Sequence, residues 1–308
     1  MSDPSVSLRG LSRDFGTLTA VDDLTFDVGR GELFGIVGPD GAGKTTTLRM
    51  LAGVLRPTRG TALIEGVDVA QDPEGAKPHL AYMAQRFGLY EDLTVSENLA
   101  FYADMYSVPK AERPERLKRL FKFSRLDEFT DRLAGKLSGG MKQKLSLSCC
   151  LIHTPKVLLL DEPTFGVDPI SRRELWLILH EMVEQGVTVI VSTSYLDEAE
   201  RCDRVVLLNE GRAIALDTPS HLQAGLDGTM LALRTTTPRD ARDFLKSLPS
   251  VSSAALFGDA IHALLTPGTD VDQLTSALAA RHIDILGLEK IEPSLEDVFI
   301  HLVRVAND

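Results

Sequence analysis

FGIVGPDGAGKTT, Phe34–Thr46, decides the fold of this 308-residue chain. Phe34–Val37 is a continuous apolar run of strand length, a glycine-rich segment follows, and Lys44–Ala52 has helical character. Strand, glycine loop and helix in that order build a phosphate cradle. Gly38, Gly41 and Gly43 let the backbone wrap tightly, so that successive N–H groups point inward, and the start of the helix adds its positive end. Lys44 is expected to reach the β- and γ-phosphates of a bound nucleoside triphosphate, and Thr45 to offer its hydroxyl to Mg²⁺. Ala42 and Thr46 complete the cradle. Asp40 puts a carboxylate beside it, a charge that the chemistry of the loop does not explain.

Two further stretches narrow the reading. VLLLDEP, Val157–Pro163, is an apolar strand ending in Asp161, where an acid can meet a metal in the crevice beyond a sheet; the adjacent Glu162 can polarise a water for in-line attack. LSGGM, Leu137–Met141, opens a helix with Ser138 as its cap, and Gly139 and Gly140 expose N–H groups as a second anion site. One phosphate group does not need two such sites from one chain. A second copy presenting its Ser138 across an interface would sandwich the nucleotide.

Composition excludes several classes. The hydrophobic share of 44% and charged share of 25% suit a globular chain, not a disordered or fibrous one. A net charge of −11 argues against nucleic acid as a partner, since that binding needs a basic face. Cys149, Cys150 and Cys202 form no CxxC pair, so neither a disulfide framework nor a zinc site is expected. Apolar runs such as Val157–Leu160 and Val187–Val191 are strand-sized, far short of the ~18 residues of a spanning helix. Met1–Arg13 lacks the apolar core of a secretory signal, and a soluble chain is expected.

Along the chain, residues 4–34 alternate apolar and polar positions as antiparallel strands do, and Thr61–Glu65 with Val67–Val69 reads as another strand pair. A capping box at Thr94 and Glu97 starts a helical stretch, about 94–155. Strands and helices then alternate, including a helix over Tyr195–Cys202, which predicts a parallel sheet covered by helices. Near residue 220 the character changes to βαββαβ and a last helix, the order of a ferredoxin-like unit. The reading is thus α/β, with one domain over 1–220 and a small accessory α+β domain over 221–308.

In this combination the chain resembles the nucleotide-binding subunit of an ATP-binding cassette (ABC) transporter, over roughly residues 4–220. LSGGMKQKL, FGVDP and the tail PSLEDVF at Pro293–Phe299 are most similar to the type-2 branch that exports drugs, antibiotics and polysaccharides. The resemblance implies a P-loop NTPase with a mixed sheet core, an antiparallel β subdomain and a helical subdomain, using ATP and Mg²⁺. It implies peripheral attachment at the cytoplasmic face of the inner membrane. The partners it implies are a second cassette, as homodimer or heterodimer, and a polytopic permease met near Gln85–Tyr90, through Phe87, Leu89 and Tyr90, all three expected to be exposed. Phe15, which its residue type alone would place in the core, then stacks on adenine, Gln85 touches Mg²⁺ and the attacking water, and Asp168 positions the opposing phosphate loop.

Two positions depart from the family pattern. Met141 stands where glutamine is usual, and STSYLDEAE places Ser194 where the switch histidine belongs. A serine hydroxyl is too short to span from the γ-phosphate to an opposite subunit, so slowed hydrolysis is expected. An ATPase that drives an exporter is the leading reading; a degenerate regulatory cassette paired with a competent one is the alternative.

Overall fold

Alternating burial shapes the first strands. β1 (Val6–Phe15) buries Val6, Leu8 and Leu11; β2 (Leu18–Val28) buries Val21, Leu24, Phe26 and Val28, and the two pair antiparallel with Val6 opposite Val28. β3 (Leu33–Val37) is buried throughout and feeds α1 (Lys44–Leu51). β4 (Arg59–Ile64), β5 (Val67–Asp68), the short α2 (Pro73–Ala76) and β6 (Leu80–Met83) follow. Next come α3 (Val95–Met105), α4 (Arg113–Ser124) and α5 (Gly139–Leu151). The capping box expected at Thr94 is present: its hydroxyl accepts from the Glu97 N–H, and Glu97 accepts from the Thr94 N–H. β7 (Val157–Asp161), α6 (Pro169–Glu184), β8 (Thr188–Thr193), α7 (Leu196–Ala199), β9 (Arg204–Asn209) and β10 (Arg212–Asp217) complete this stretch.

The computed structural model describes residues 3–86 and 88–307. The chain forms two units, Met1–Tyr195 with Cys202–Ala213, and Leu196–Arg201 with Ile214–Asp308. Among the described residues of the first, one antiparallel sheet runs β2-β1-β4-β5 and a second sheet runs β10-β9-β3-β8-β7-β6. Pairing within β9-β3-β8-β7-β6 is parallel. This is the mixed α/β core expected. α7 is shorter than the helix expected over Tyr195–Cys202. The chain turns back after it because Asp203 exchanges hydrogen bonds with Leu33: its N–H donates to the Leu33 carbonyl, and its carboxylate accepts from the Leu33 N–H, both at 2.8 Å.

The second unit contains α8 (Pro219–Ala224), β11 (Thr229–Thr235), α9 (Pro238–Lys246), β12 (Val251–Phe257), β13 (Ala260–Leu265), α10 (Val271–Ala280), β14 (Ile285–Lys290) and α11 (Leu295–Asn307). Its sheet order is β12-β13-β11-β14, all antiparallel: the two α-crossovers split the strands as a ferredoxin-like unit does. Leu233, Leu245, Ile261, Leu265 and Leu278 are among the residues of its own core.

Candidate functional site

β3, β7 and β8 are neighbours, so their C-terminal ends, Val37, Asp161 and Thr193, open on one crevice. The glycine loop crosses it. Gly41 and Gly43 sit at φ +82° and +102°, a region costly for any residue with a Cβ. A Cβ at Gly43 would come within 2.7 Å of the Ala20 carbonyl, and one at Gly38 would overlap the Leu208 carbonyl. Ala42 is buried, Thr46 half-buried. Asp40 is exposed at the loop apex, so its carboxylate keeps its water; that answers the puzzle its sequence position poses.

Lys44 and Glu162 form a buried ion pair at 3.1 Å, their side chains only 5% and 6% exposed. Two buried charges persist where further hydrogen bonds satisfy them. Lys44 Nζ donates to the carbonyls of Gly38 (2.8 Å) and Pro39 (3.1 Å), and Ser194 Oγ donates to Glu162 Oε2 at 3.3 Å. Glu162 adopts φ +50°, a strained conformation for a non-glycine residue. Ser192 holds it there by accepting from the Glu162 N–H with both its carbonyl (3.2 Å) and its hydroxyl (3.0 Å).

Asp161 is buried with both oxygens engaged. Oδ1 accepts from Thr45 Oγ1 (2.9 Å) and Ser192 Oγ (2.8 Å), and Oδ2 from the Tyr82 hydroxyl (3.2 Å). Burial first, and then the Asp161 charge, push the Tyr82 phenol up to about 12, which keeps it a donor. Tyr82 and Ser192 are the residues that sequence reasoning missed. Their signal is register: Ser192 lies opposite Asp161 across β8, and Tyr82 lies on β6, beside β7.

The LSGG segment is built differently. Ser138 and Gly139 are exposed, and the Ser138 hydroxyl accepts from the Met141 N–H at 3.3 Å, capping α5. Gly140 is buried, and a Cβ there would overlap the Ser171 side chain on α6. Gly140 is therefore required for the packing of α5 on α6. Asp168 caps α6 by accepting from the N–H groups of Ile170 (3.1 Å) and Ser171 (3.0 Å), and hydrogen bonding from Ser171 holds its carboxyl below the usual carboxylate range. Ser171 thus links Gly140 to Asp168. Large apolar side chains stand out on either side, Phe165 and Ile170.

Phe15, at the end of β1, is 46% exposed, not a core residue as bare sequence would have it; the Arg13 guanidinium covers its ring at 4.6 Å. Gln85 is exposed in the loop after β6. Phe87 lies outside the described residues, and Leu89 is half-buried, not exposed as expected. Tyr90 is exposed, packs edge-on against Phe101 at 4.6 Å, and is fixed by reciprocal 3.0 Å bonds with the Asn98 amide.

Among the described residues no group of three or more His, Cys, Asp or Glu side chains is arranged to hold a metal. Asp161 with Thr45 instead fits Mg²⁺, a hard cation that takes one carboxylate, a hydroxyl and phosphate oxygens. Among the described residues no helix is long and apolar enough to cross a membrane.

Comparison with known proteins agrees with this geometry. Residues 21–165 match the family described as ABC transporter, and residues 218–303 the one described as ATP-binding protein DrrA1-3-like, C-terminal domain. The chain is 45% identical over 309 residues to the probable multidrug ABC transporter ATP-binding protein YbhF of Escherichia coli (strain K12), covering 98% of this chain and 53% of that protein. It therefore spans about half the length of this curated relative. It is 33% identical to the daunorubicin/doxorubicin resistance ATP-binding protein DrrA of Streptomyces peucetius, covering 97% of this chain and 92% of that one. A solved structure of the ATP binding subunit of an ABC transporter superposes with a TM-score of 0.65 at 34% identity, over 71% of this chain and 92% of that one.

Proposed function

The chain belongs to the ABC transporter family, in the branch of its exporter ATP-binding proteins, and from that premise we propose that it binds and hydrolyses ATP as the engine of an export system. One observation carries the reading: the cradle, Lys44, Thr45, Asp161 and Glu162 converge on one crevice at the ends of β3 and β7. The backbone N–H groups of Gly41–Thr46 and the Lys44 ammonium bind the phosphates. Thr45 and Asp161 would hold Mg²⁺, which would supply charge neutralisation at the phosphate oxygens. Phe15 offers its exposed ring to adenine. Glu162 orients the attacking water and takes its proton, assisted by Gln85 from the loop after β6.

Ser138 and Gly139, exposed, with Asp168 close by, serve the nucleotide held by a second cassette, identical or not. Exposed Phe165 and Ile170 favour that pairing, because large apolar groups beside a polar site mark interfaces. The fixed, exposed Tyr90 favours a permease contact near Gln85–Tyr90, which would hold the protein at the cytoplasmic face of the inner membrane. The chain's acidity disfavours nucleic acid as a partner. YbhF and DrrA, named for multidrug transport and for daunorubicin/doxorubicin resistance, suggest a drug as cargo.

Ser194 favours a second reading. Its hydroxyl donates to Glu162 and, as a short side chain, orients that base without itself reaching a phosphate. The protein is then a slow or regulatory cassette that works beside a competent one. Steady-state ATP turnover separates the readings. An active engine loses about 10²–10⁴-fold on Glu162→Gln. A regulatory cassette starts near background, barely changes on Glu162→Gln, and gains turnover on Ser194→His.

A further inference from the structure

The proposed nucleotide site leaves unused a cleft of about 1020 Å³ bounded by α4, α5 and α6. Lys156 and Val187 line it just before β7 and β8 begin, so it lies at the end of the sheet opposite Asp161 and Thr193. Leu120, Leu151, Ile178 and Met182 form a nearly buried floor, and Leu177 projects from α6 with 55% of its surface exposed. The rim is basic. Arg116, Arg119 and Lys122 follow one another along α4, Arg125 caps its end, and Lys144 and Lys156 also line the cleft. Two carboxylates, Glu174 and Glu181, also line the cleft, and four of the six cations are ion-paired: Lys144 and Arg125 with Glu174, Arg116 with Glu112 and Lys156 with Glu65. The positive charge offered to a ligand is therefore concentrated at Arg119 and Lys122, on a chain whose net charge is −11.

We propose that this cleft is a docking groove for an acidic amphipathic helix of a protein partner. The apolar stripe of that helix would lie on the leucine, isoleucine and methionine floor, with its carboxylates facing α4. Volume and shape select this occupant. A helix about 10 Å across, rising about 5.4 Å per turn, fills the cleft with roughly two turns, whereas a simple anion leaves most of it empty. A bilayer is flat, but here most of the apolar side chains lie beneath a charged rim, where only a narrow segment can reach them. Charge complementarity then sets orientation and speeds association.

Recognition by pattern alone means that a generic peptide carrying the pattern must bind. The probe is a fluorescein-labelled helical peptide of about 14 residues, with leucines at helical spacing and glutamates elsewhere. Saturable anisotropy binding is expected, weakened by on the order of tenfold or more in the Arg119→Glu/Lys122→Glu variant and by added salt. Leu177→Asp should weaken it too. ATP affinity and circular dichroism should be unchanged in all three proteins, which separates lost docking from lost folding and from any failure of the ATPase reading. Absence of saturable binding overturns the proposal, as does equal binding by wild type and charge-reversal variant. So does preferential charge-dependent binding to phosphatidylglycerol vesicles or to inorganic polyphosphate, which would assign the groove to a membrane surface or a simple polyanion.

Discussion

The glycine loop and the LSGG segment both start helices with glycines, yet their polar groups are settled in different ways. Around Gly38–Thr46, functional groups from α1, the end of β7 and β8 meet one another: Lys44 with Glu162, Thr45 and Ser192 with Asp161. Around Leu137–Met141, the serine caps its own helix, its neighbour Gly139 is open to solvent, and Gly140 is used up in packing on Ser171. The first region is assembled by one chain. The second is an exposed edge, which the proposed pairing with another cassette would complete.

The strongest test of that contrast removes the Lys44 ammonium. Lys44→Ala leaves Glu162 buried without its counter-charge and strips the cradle of its cation, so ATP affinity should drop about a hundredfold or more by titration calorimetry. A variant that binds ATP as well as wild type would mean the loop is not the primary grip. Ser138→Ala, in the other region, should leave the affinity of the isolated chain for ATP unchanged. A matching loss there would erase the distinction between the two regions.

Gly140→Ala comes next. The added methyl meets the Ser171 side chain, including its Cβ, so α5 and α6 must separate at their starts, at a cost of about 1–3 kcal/mol in urea unfolding. Ser171→Gly in the same chain should restore most of the loss. If Gly140→Ala proves neutral, the glycine serves ligand access and not packing, and the two regions become more alike than the structure makes them.

Ser138→Ala should cost less, about 1 kcal/mol, the usual value of a single helix cap. Its sharper readout is assembly. In a Glu162→Gln background, ATP-dependent dimers followed by light scattering should weaken with Ser138→Ala although each chain still binds ATP. Unaltered dimerisation would remove Ser138 from the shared site.

How much of this the sequence discloses depends on whether a role is set along the chain or across it. The strand–loop–helix order of Phe34–Ala52, the acid ending Val157–Asp161 and the βαββαβ order of the tail are all written in consecutive residues, and the structure contains each of them. Tyr82 and Ser192 are not legible in that way. They meet Asp161 only because β6 and β8 flank β7, and strand order is a property of the folded sheet. Glu162 shows the same limit in its backbone. Nothing in DEP announces φ +50°, which is imposed by the hydrogen bonds to Ser192. The exposure of Phe15 and Asp40 is not legible for a simpler reason: residue type does not say which side of a hairpin tip or loop apex faces water.

The smallest expected effect concerns the segment that connects the two regions. α5 leaves the LSGG edge and ends at Leu151, two residues before His153, and the strand that carries Asp161 follows. The His153 ring stacks on Tyr106 at 4.0 Å, and its Nε2 bonds the Leu80 carbonyl at 3.1 Å. Burial lowers its pKa, the Leu80 bond opposes that shift, and the nearby Arg116 charge lowers it further. The folded protein therefore binds this proton less readily than the unfolded chain does. Its stabilising contribution is complete above the unfolded value of about 6.5, and is lost as pH falls through the folded pKa. His153→Gln can keep a donor to Leu80 but does not titrate, so the variant's stability should fall less between neutral pH and pH 5 than that of wild type. Urea midpoints across that range provide the comparison, with ATP affinity at neutral pH as the control that should not move. Parallel pH profiles for the two proteins would show that acid acts elsewhere, and that the join between the exposed edge and the closed site carries no proton-linked strain.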